Sequence, residues 1–151
     1  MEQKESIGRL IASTHRQICI YLDSEFKEYG IGSGQVPVLR ALQVADGVNQ
    51  EKLAAIFRVN KATTARAIDK LVKEGYVIRK RDESDNRAYK LYLTKKGLAI
   101  EPKLKGVFQQ LTAILASGLS EEEKNTVIQL LEKMSQNILA TNEKAGKISD
   151  E

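Results

Sequence analysis

Apolar residues recur at three- and four-residue steps in the opening stretch, where Ile7, Leu10, Ile11, Ile18, Leu22 and Phe26 form one stripe. That spacing predicts a long amphipathic helix over roughly Glu5 to Tyr29, closed by Gly30. Gly30, Gly32 and Gly34 mark a loop in which Ser33 can cap the next helix, about Gly34 to Val44. This second helix turns Val38, Leu39 and Leu42 inward and carries Pro37 in its first turn. Asp46-Gly47 reads as a turn. Asn49 opens a short third helix, QEKLAAIF, with Leu53, Ala54 and Phe57 inward. After an Arg58-Val59-Asn60 turn, Asn60 caps a fourth helix from Lys61 to Glu74, stopped by Gly75. Two short helices on so tight a turn form a helix-turn-helix candidate.

The apolar period then shortens to two. Strands at about Tyr76–Lys80 and Ala88–Leu93 flank a charged loop, Arg81 to Arg87, that projects from the body. Tyr89, Leu91 and Leu93 share the face expected on the core, with Lys90 and Tyr92 outward. Thr94 caps a long fifth helix with Leu104, Val107, Phe108, Leu111, Ile114 and Leu115 as its seam, and Pro102 predicts a kink or restart inside it. Ser120 and Glu123 form a capping box for a sixth helix bearing Val127, Leu130, Leu131, Met134 and Ile138. The tail after Thr141 is polar and expected to fray. The first, fifth and sixth helices carry more apolar seam than one small winged unit can cover. A second copy of the chain is the simplest partner, with an intramolecular helical layer as the alternative.

Composition narrows the class. At 151 residues, 42% apolar and 29% charged, the chain reads as one ordinary globular domain with helical extensions. No apolar run approaches the roughly 20 residues that span a bilayer, and MEQKESIGRL lacks the pattern of a secretory signal. Cys19 is the single cysteine, so no intrachain disulfide forms. A cytoplasmic protein without membrane contact is expected. The net charge of +4 is unevenly spread. Residues 58–96 hold twelve Lys/Arg against five Asp/Glu, while both flanks are slightly acidic. A concentrated basic zone is the footprint of a phosphate-backbone partner, although a solvated charged face accounts for it equally on charge alone.

The fourth helix separates into two faces. Thr64, Ile68, Leu71 and Val72 cluster inward, while Ala62, Thr63, Arg66, Asp69, Lys70 and Lys73 face out beside Lys61. Recognition helices read base edges mostly from their N-terminal half. Ala62 and Thr63 allow close approach, Arg66 can reach guanine edges or phosphate, and the free N–H groups at the helix start favour an anion. The competing reading is a protein-interaction helix. In the hairpin loop, Asp82, Glu83 and Asp85 would weaken a purely phosphate-binding surface. Asp85 makes sense there as the brace of a neighbouring arginine.

With helix-turn-helix, strand, charged loop, strand and Leu-Thr-x-x-Gly in this order, the chain resembles the MarR-type winged helix-turn-helix transcriptional regulators. Leu53-Ala54, Thr63, Arg66, Leu71, Gly75, Arg79, Asp82, Asp85, Arg87, Leu93-Thr94-Lys95-Lys96-Gly97 and Gly-Leu-Ser-Glu-Glu-Glu at 118–123 carry the resemblance. It implies a mainly α fold with a small β-hairpin wing (α+β), flanked by N- and C-terminal dimerisation helices. The segments are then 1–32, an N-terminal dimerisation helix; 33–96, the winged DNA-binding domain; 97–142, C-terminal dimerisation helices; and 143–151, a flexible tail. A homodimer would lay each fourth helix in a major groove of double-stranded DNA at a pseudo-palindromic operator. Each wing would reach a minor groove, where Arg87 inserts or grips the backbone and Asp85 orients it.

The DNA-binding candidates are therefore Lys61, Ala62, Thr63, Arg66, Lys70, Arg79, Arg81, Asp85 and Arg87. The family's wing often reads Asp-x-Arg-Asp-x-Arg. Here Ser84 replaces the first arginine, leaving Arg81 or Arg79 to stand in. Members are commonly released from DNA by small phenolic or anionic compounds bound between the dimer helices and the winged helix. A small aromatic or anionic effector is expected, with His15, Arg16 and Tyr21 as candidate pocket residues, although ordinary packing and surface roles also fit them. Some branches sense peroxides through a cysteine near the start of the first helix. Cys19 lies later and reads as an ordinary buried thiol. One histidine and one cysteine are too few for a zinc site. No nucleophile–base pair, phosphate loop or metal cluster is visible, so no catalytic residues, cofactor or enzymatic activity are expected. A homodimeric repressor released by its effector is the leading reading. A winged-helix protein-interaction module without DNA binding is the alternative.

Overall fold

The computed structural model describes residues 6–57, 61–85 and 87–146. Helix α1 (Ile7–Glu25) starts at Ser6, whose hydroxyl accepts the Arg9 N–H, and a single 3-10 turn follows at Lys27–Tyr29. Gly30 ends this segment at φ 68°, where a β-carbon would be strained. Helix α2 (Val36–Val44) keeps Pro37 in its first turn, but no side chain caps it. Ser33, the expected cap, instead donates its N–H to Asp23 Oδ1 at 2.6 Å, which ties the loop back to α1.

The Asp46-Gly47 turn feeds a strand that the sequence pattern did not mark, β1 (Val48–Asn49). Asn49 also opens α3 (Gln50–Phe57), its carboxamide oxygen accepting the Lys52 N–H at 2.7 Å. Helix α4 (Lys61–Lys73) follows; the expected turn at Arg58-Val59-Asn60, with its Asn60 cap, lies outside the described residues. Strands β2 (Val77–Arg81) and β3 (Tyr89–Leu93) pair antiparallel, and β1 adds to the other side of β3, giving the order β1-β3-β2. The wing therefore hangs on a three-stranded sheet rather than a lone hairpin. Asp46 locks the added edge by accepting the Leu93 N–H at 3.0 Å, and Gly47 donates to the Leu91 carbonyl.

Pro102 acts as expected. Helix α5 (Lys95–Ala99) stops, and α6 (Glu101–Leu115) restarts with the proline in its first turn. Thr94 caps α5 by accepting the Gly97 N–H while its own hydroxyl donates to the Gly75 carbonyl at 2.6 Å. Gly97 lies so close to Tyr76 that a β-carbon there would collide with the Tyr76 carbonyl oxygen. Helix α7 (Glu121–Lys144) opens on the complete Ser120–Glu123 capping box.

One core cluster joins Leu22 of α1 and Phe26 just after it, Val36, Leu39 and Leu42 of α2, Leu53 of α3 and Ile68 and Leu71 of α4 to Leu91 of β3 and Leu104, Val107 and Leu111 of α6. The ends of α1 and α6 nearest the sheet are thus built into the winged body. Their far ends are not: Ile7, Leu10, Ile11, Ile114 and Leu115 are exposed, and α7 has no buried residue. Among the described residues no helix is long and apolar enough to cross a membrane.

Candidate nucleic-acid interface

Helix α4 is held by Thr64, Ala67, Ile68 and Leu71, all buried, which orients the rest of its circumference outward. Lys61, Ala62, Thr63, Arg66, Asp69, Lys70 and Lys73 are all exposed, as their spacing predicts. Lys61 lies 3.8 Å from Glu51 of α3, a loose contact between exposed side chains that holds neither firmly. The Arg66 guanidinium reaches back along the helix to Thr63 Oγ1 at 3.4 Å.

The hairpin presents two faces because side chains alternate along a strand. Val77, Arg79 and Arg81 pair in register with Leu93, Leu91 and Tyr89 on the face that carries the core, while Ile78 and Lys80 pair with Tyr92 and Lys90 on the other. Tyr89, expected on the core, is 45% exposed. It sits opposite Arg81 at the distal end of the ladder, beside the loop and away from the buried Val77–Leu93 end.

Arg79 does not reach outward. Its guanidinium donates to Asp69 of α4, so it bridges helix and sheet instead of standing in for the arginine missing at Ser84. Arg81 and Arg87 are exposed near the hairpin tip. The Asp85 carboxylate accepts the Arg87 backbone N–H at 3.0 Å, and its carbonyl accepts the Ala88 N–H. Asp82 makes a similar local turn, accepting both the N–H (3.0 Å) and the hydroxyl (2.7 Å) of Ser84. These Ser84 hydrogen bonds, the hydroxyl foremost, hold the Asp82 carboxyl below its ordinary pKa. Asp82 and Asp85 thus shape the loop backbone, while Arg81 and Arg87 stay exposed.

Lys80 and Lys90 face each other across the outer side of the sheet, with Lys80 5.2 Å from the centre of the Tyr92 ring. Neither was singled out from sequence. The alternation that put Lys90 outward was the available signal, once register placed Lys80 against it.

A separate cleft of about 520 Å³ opens between α1, α2, α3 and α6, lined mainly by apolar side chains such as Ile18, Leu22, Val36 and Phe57. Of the three candidate effector residues it brings in His15 but neither Arg16 nor Tyr21. Arg16 is exposed, and the Tyr21 hydroxyl is buried with no hydrogen-bond partner among the described residues. Cys19 is half-buried on the cleft wall, with Sγ 3.5 Å from His15 Nε2 one helical turn away. Arg40, missed from sequence, stacks on Phe108 with its guanidinium carbon 3.9 Å from the ring centre. The two residues are far apart in sequence, so no local pattern could pair them. Among the described residues no cluster of three or more His, Cys, Asp or Glu side chains could hold a metal ion.

Comparison with known proteins places this arrangement. A family model described as MarR family matches residues 31–89, from the loop before α2 to the first residue of β3. An HTH-type transcriptional regulator of Bacillus subtilis, YybA, is 36% identical over 114 residues, covering 76% of each chain. The chain belongs to the MarR family. A MarR transcriptional regulator from Methanosarcina mazei superposes with a TM-score of 0.82 at 43% identity, covering 89% of this chain and 97% of that one. A MarR-family regulator from Listeria monocytogenes, solved with a 26mer DNA, gives a TM-score of 0.84 at 29% identity over 94% of this chain and 96% of its own. The similar proteins are transcriptional regulators rather than enzymes.

Proposed function

We propose that this MarR-family chain is a cytoplasmic homodimeric repressor that binds a pseudo-palindromic double-stranded operator and leaves it when a small aromatic or anionic effector binds. The observation that carries the DNA half is the exposed face of α4, small at Ala62 and Thr63 and cationic at Lys61, Arg66 and Lys70, beside a hairpin tip bearing exposed Arg81 and Arg87. A helix of this kind fits a major groove and offers its N-terminal half to the bases. Arg87, its N–H held by Asp85, serves the backbone or an adjacent minor groove. The DNA complex of the Listeria protein supports this use of the fold.

Segments 1–32 and 97–142 join the two copies. The exposed apolar residues of α1 and α6 and the wholly unburied α7 favour that assembly over a free monomer. The cleft beside His15 and Arg40 supports an effector that is apolar with an anionic group.

Selection of bound duplexes from a random pool, followed by anisotropy titrations, tests the proposal. The selected sites should carry two half-sites about 10 base pairs apart, and affinity should fall steeply as salt rises. Arg66→Ala should cost about 1–3 kcal/mol and relax base choice, whereas Arg87→Ala should weaken all duplexes alike. Adding benzoate, an aromatic carboxylate, should raise the apparent Kd. A pool that yields no bound duplex, or a salt-independent shift, overturns the DNA reading in favour of a protein-interaction module. Unchanged affinity with benzoate counts against an aromatic-acid effector.

A further inference from the structure

The exposed face of α4 carries one carboxylate, Asp69, among Arg66, Lys70 and Lys73. Arg66 and Asp69 are three residues apart, so their side chains are neighbours on the helix surface. Helical side chains also lean toward the N-terminus, which tips Asp69 toward Arg66. Left alone, this pair would close into an intrahelical ion pair and hold the guanidinium against the helix.

It does not close. The Asp69 carboxylate is taken by Arg79, which reaches across from the middle of β2. The Arg79 side chain is the more enclosed partner, 29% exposed against 63% for Asp69. Its strand position is fixed by register with the fully buried Leu91. Arg66 is left directed at Thr63, with no ion-pair partner among the described residues.

We infer that Arg79 is a positioning residue which occupies Asp69 and so keeps Arg66 available to the nucleic acid. This role differs from the phosphate contact that its place near the wing implies, and it rests on the DNA reading above. It explains how a carboxylate is tolerated on a face turned to a polyanion: its charge is neutralised from the sheet, and its natural helical partner is released.

The test is a double-mutant cycle on the full-length protein, read by anisotropy against the selected duplex and a scrambled one, with thermal unfolding as the fold control. Arg79→Ala frees Asp69 to capture Arg66, so preference for the selected duplex should fall about tenfold, the worth of one good base contact. Asp69→Asn should bind within about twofold of wild type, since no charge is left to capture Arg66. The decisive variant is Arg79→Ala/Asp69→Asn, which should recover the lost preference although Arg79 is still missing. Arg79→Lys, which keeps the charge opposite Asp69, should also retain it.

If Arg79 touched phosphate itself, the double variant would stay weak and its salt slope would fall by about one. If the pair merely fixed the wing against α4, Asp69→Asn would be as damaging as Arg79→Ala and the double variant no better. Either pattern overturns the inference, as does a set of variants that all bind like wild type. A wild-type protein that shifts no duplex removes the DNA reading and this role with it.

Discussion

The winged body and helix α7 are built on opposite principles. In the body, Phe26, Val36, Leu39, Leu42, Leu53, Ile68 and Leu91 are completely buried, drawn from α1 through β3. Across the 24 residues of α7, not one is buried, and Ile128, Leu130, Leu131 and Ile138 stand roughly half exposed. Yet α7 has the stronger local signals: a full capping box, three glutamates in its first turn and Lys144 in its last. The body's β1, by contrast, is two residues long and exists because Leu91 and Lys90 supply a ladder. Local chemistry can specify a helix without giving it anything to pack on. A helix in water gains most of its stability from packing its apolar face, and among the described residues nothing buries that face of α7.

Leu131→Glu breaks that comparison most sharply. In an isolated monomer Leu131 is 47% exposed, and such a change should cost no more than about 0.5 kcal/mol. In the proposed dimer it would bury unpaired carboxylates at a two-fold seam, costing about 3–5 kcal/mol. Light scattering should therefore report monomers, with loss of binding to a two-half-site duplex. A variant that stays dimeric would show that the seam lies elsewhere.

Gly97→Ala probes the other side. The added methyl meets the Tyr76 backbone rather than a movable side chain, and the Thr94 cap holds Gly97 in place. Overpacking of this kind should cost about 3 kcal/mol, a fall in Tm of about 10 °C for a chain of this length. The oligomeric state should be unchanged wherever the protein remains folded. A Tm near wild type would mean that the α5–β2 junction relaxes easily.

The contrast also explains what could be read from sequence. Helices were legible wherever caps and periods coincide, as at Ser120–Glu123, Thr94 and the Pro102 restart. The inward and outward faces of α4 followed from its period, and the basic middle of the chain marked the surface to inspect. What escaped depends on residues distant in sequence. Ser33 is bound by Asp23 rather than capping α2, and Arg79 turns to Asp69 on another element. The Arg40–Phe108 stack joins α2 to α6. Arg16 and Tyr21 share α1 with His15 but not its cleft.

The smallest expected effect lies in the wing, which belongs to neither regime. Among its described residues the loop has no buried side chain to hold it, and Asp82 and Asp85 hold it through local hydrogen bonds. Ser84 stands where the family's pattern has arginine, and the Asp82 carboxylate accepts from its hydroxyl and N–H. These bonds favour the charged carboxylate and depress its pKa. The linkage follows in sign: what this carboxylate adds to loop order is fully present above the ordinary aspartate value and is lost as pH falls through the depressed one. Ser84→Ala removes the hydroxyl but keeps the N–H bond, so the Asp82 carboxyl should titrate at higher pH, partway back to the ordinary range. NMR titration of the side-chain carboxyl carbon reads this directly, while Tm and oligomeric state should not move. An unchanged midpoint in Ser84→Ala would mean that the hydroxyl does not hold this turn, and that Asp82 is charged for other reasons.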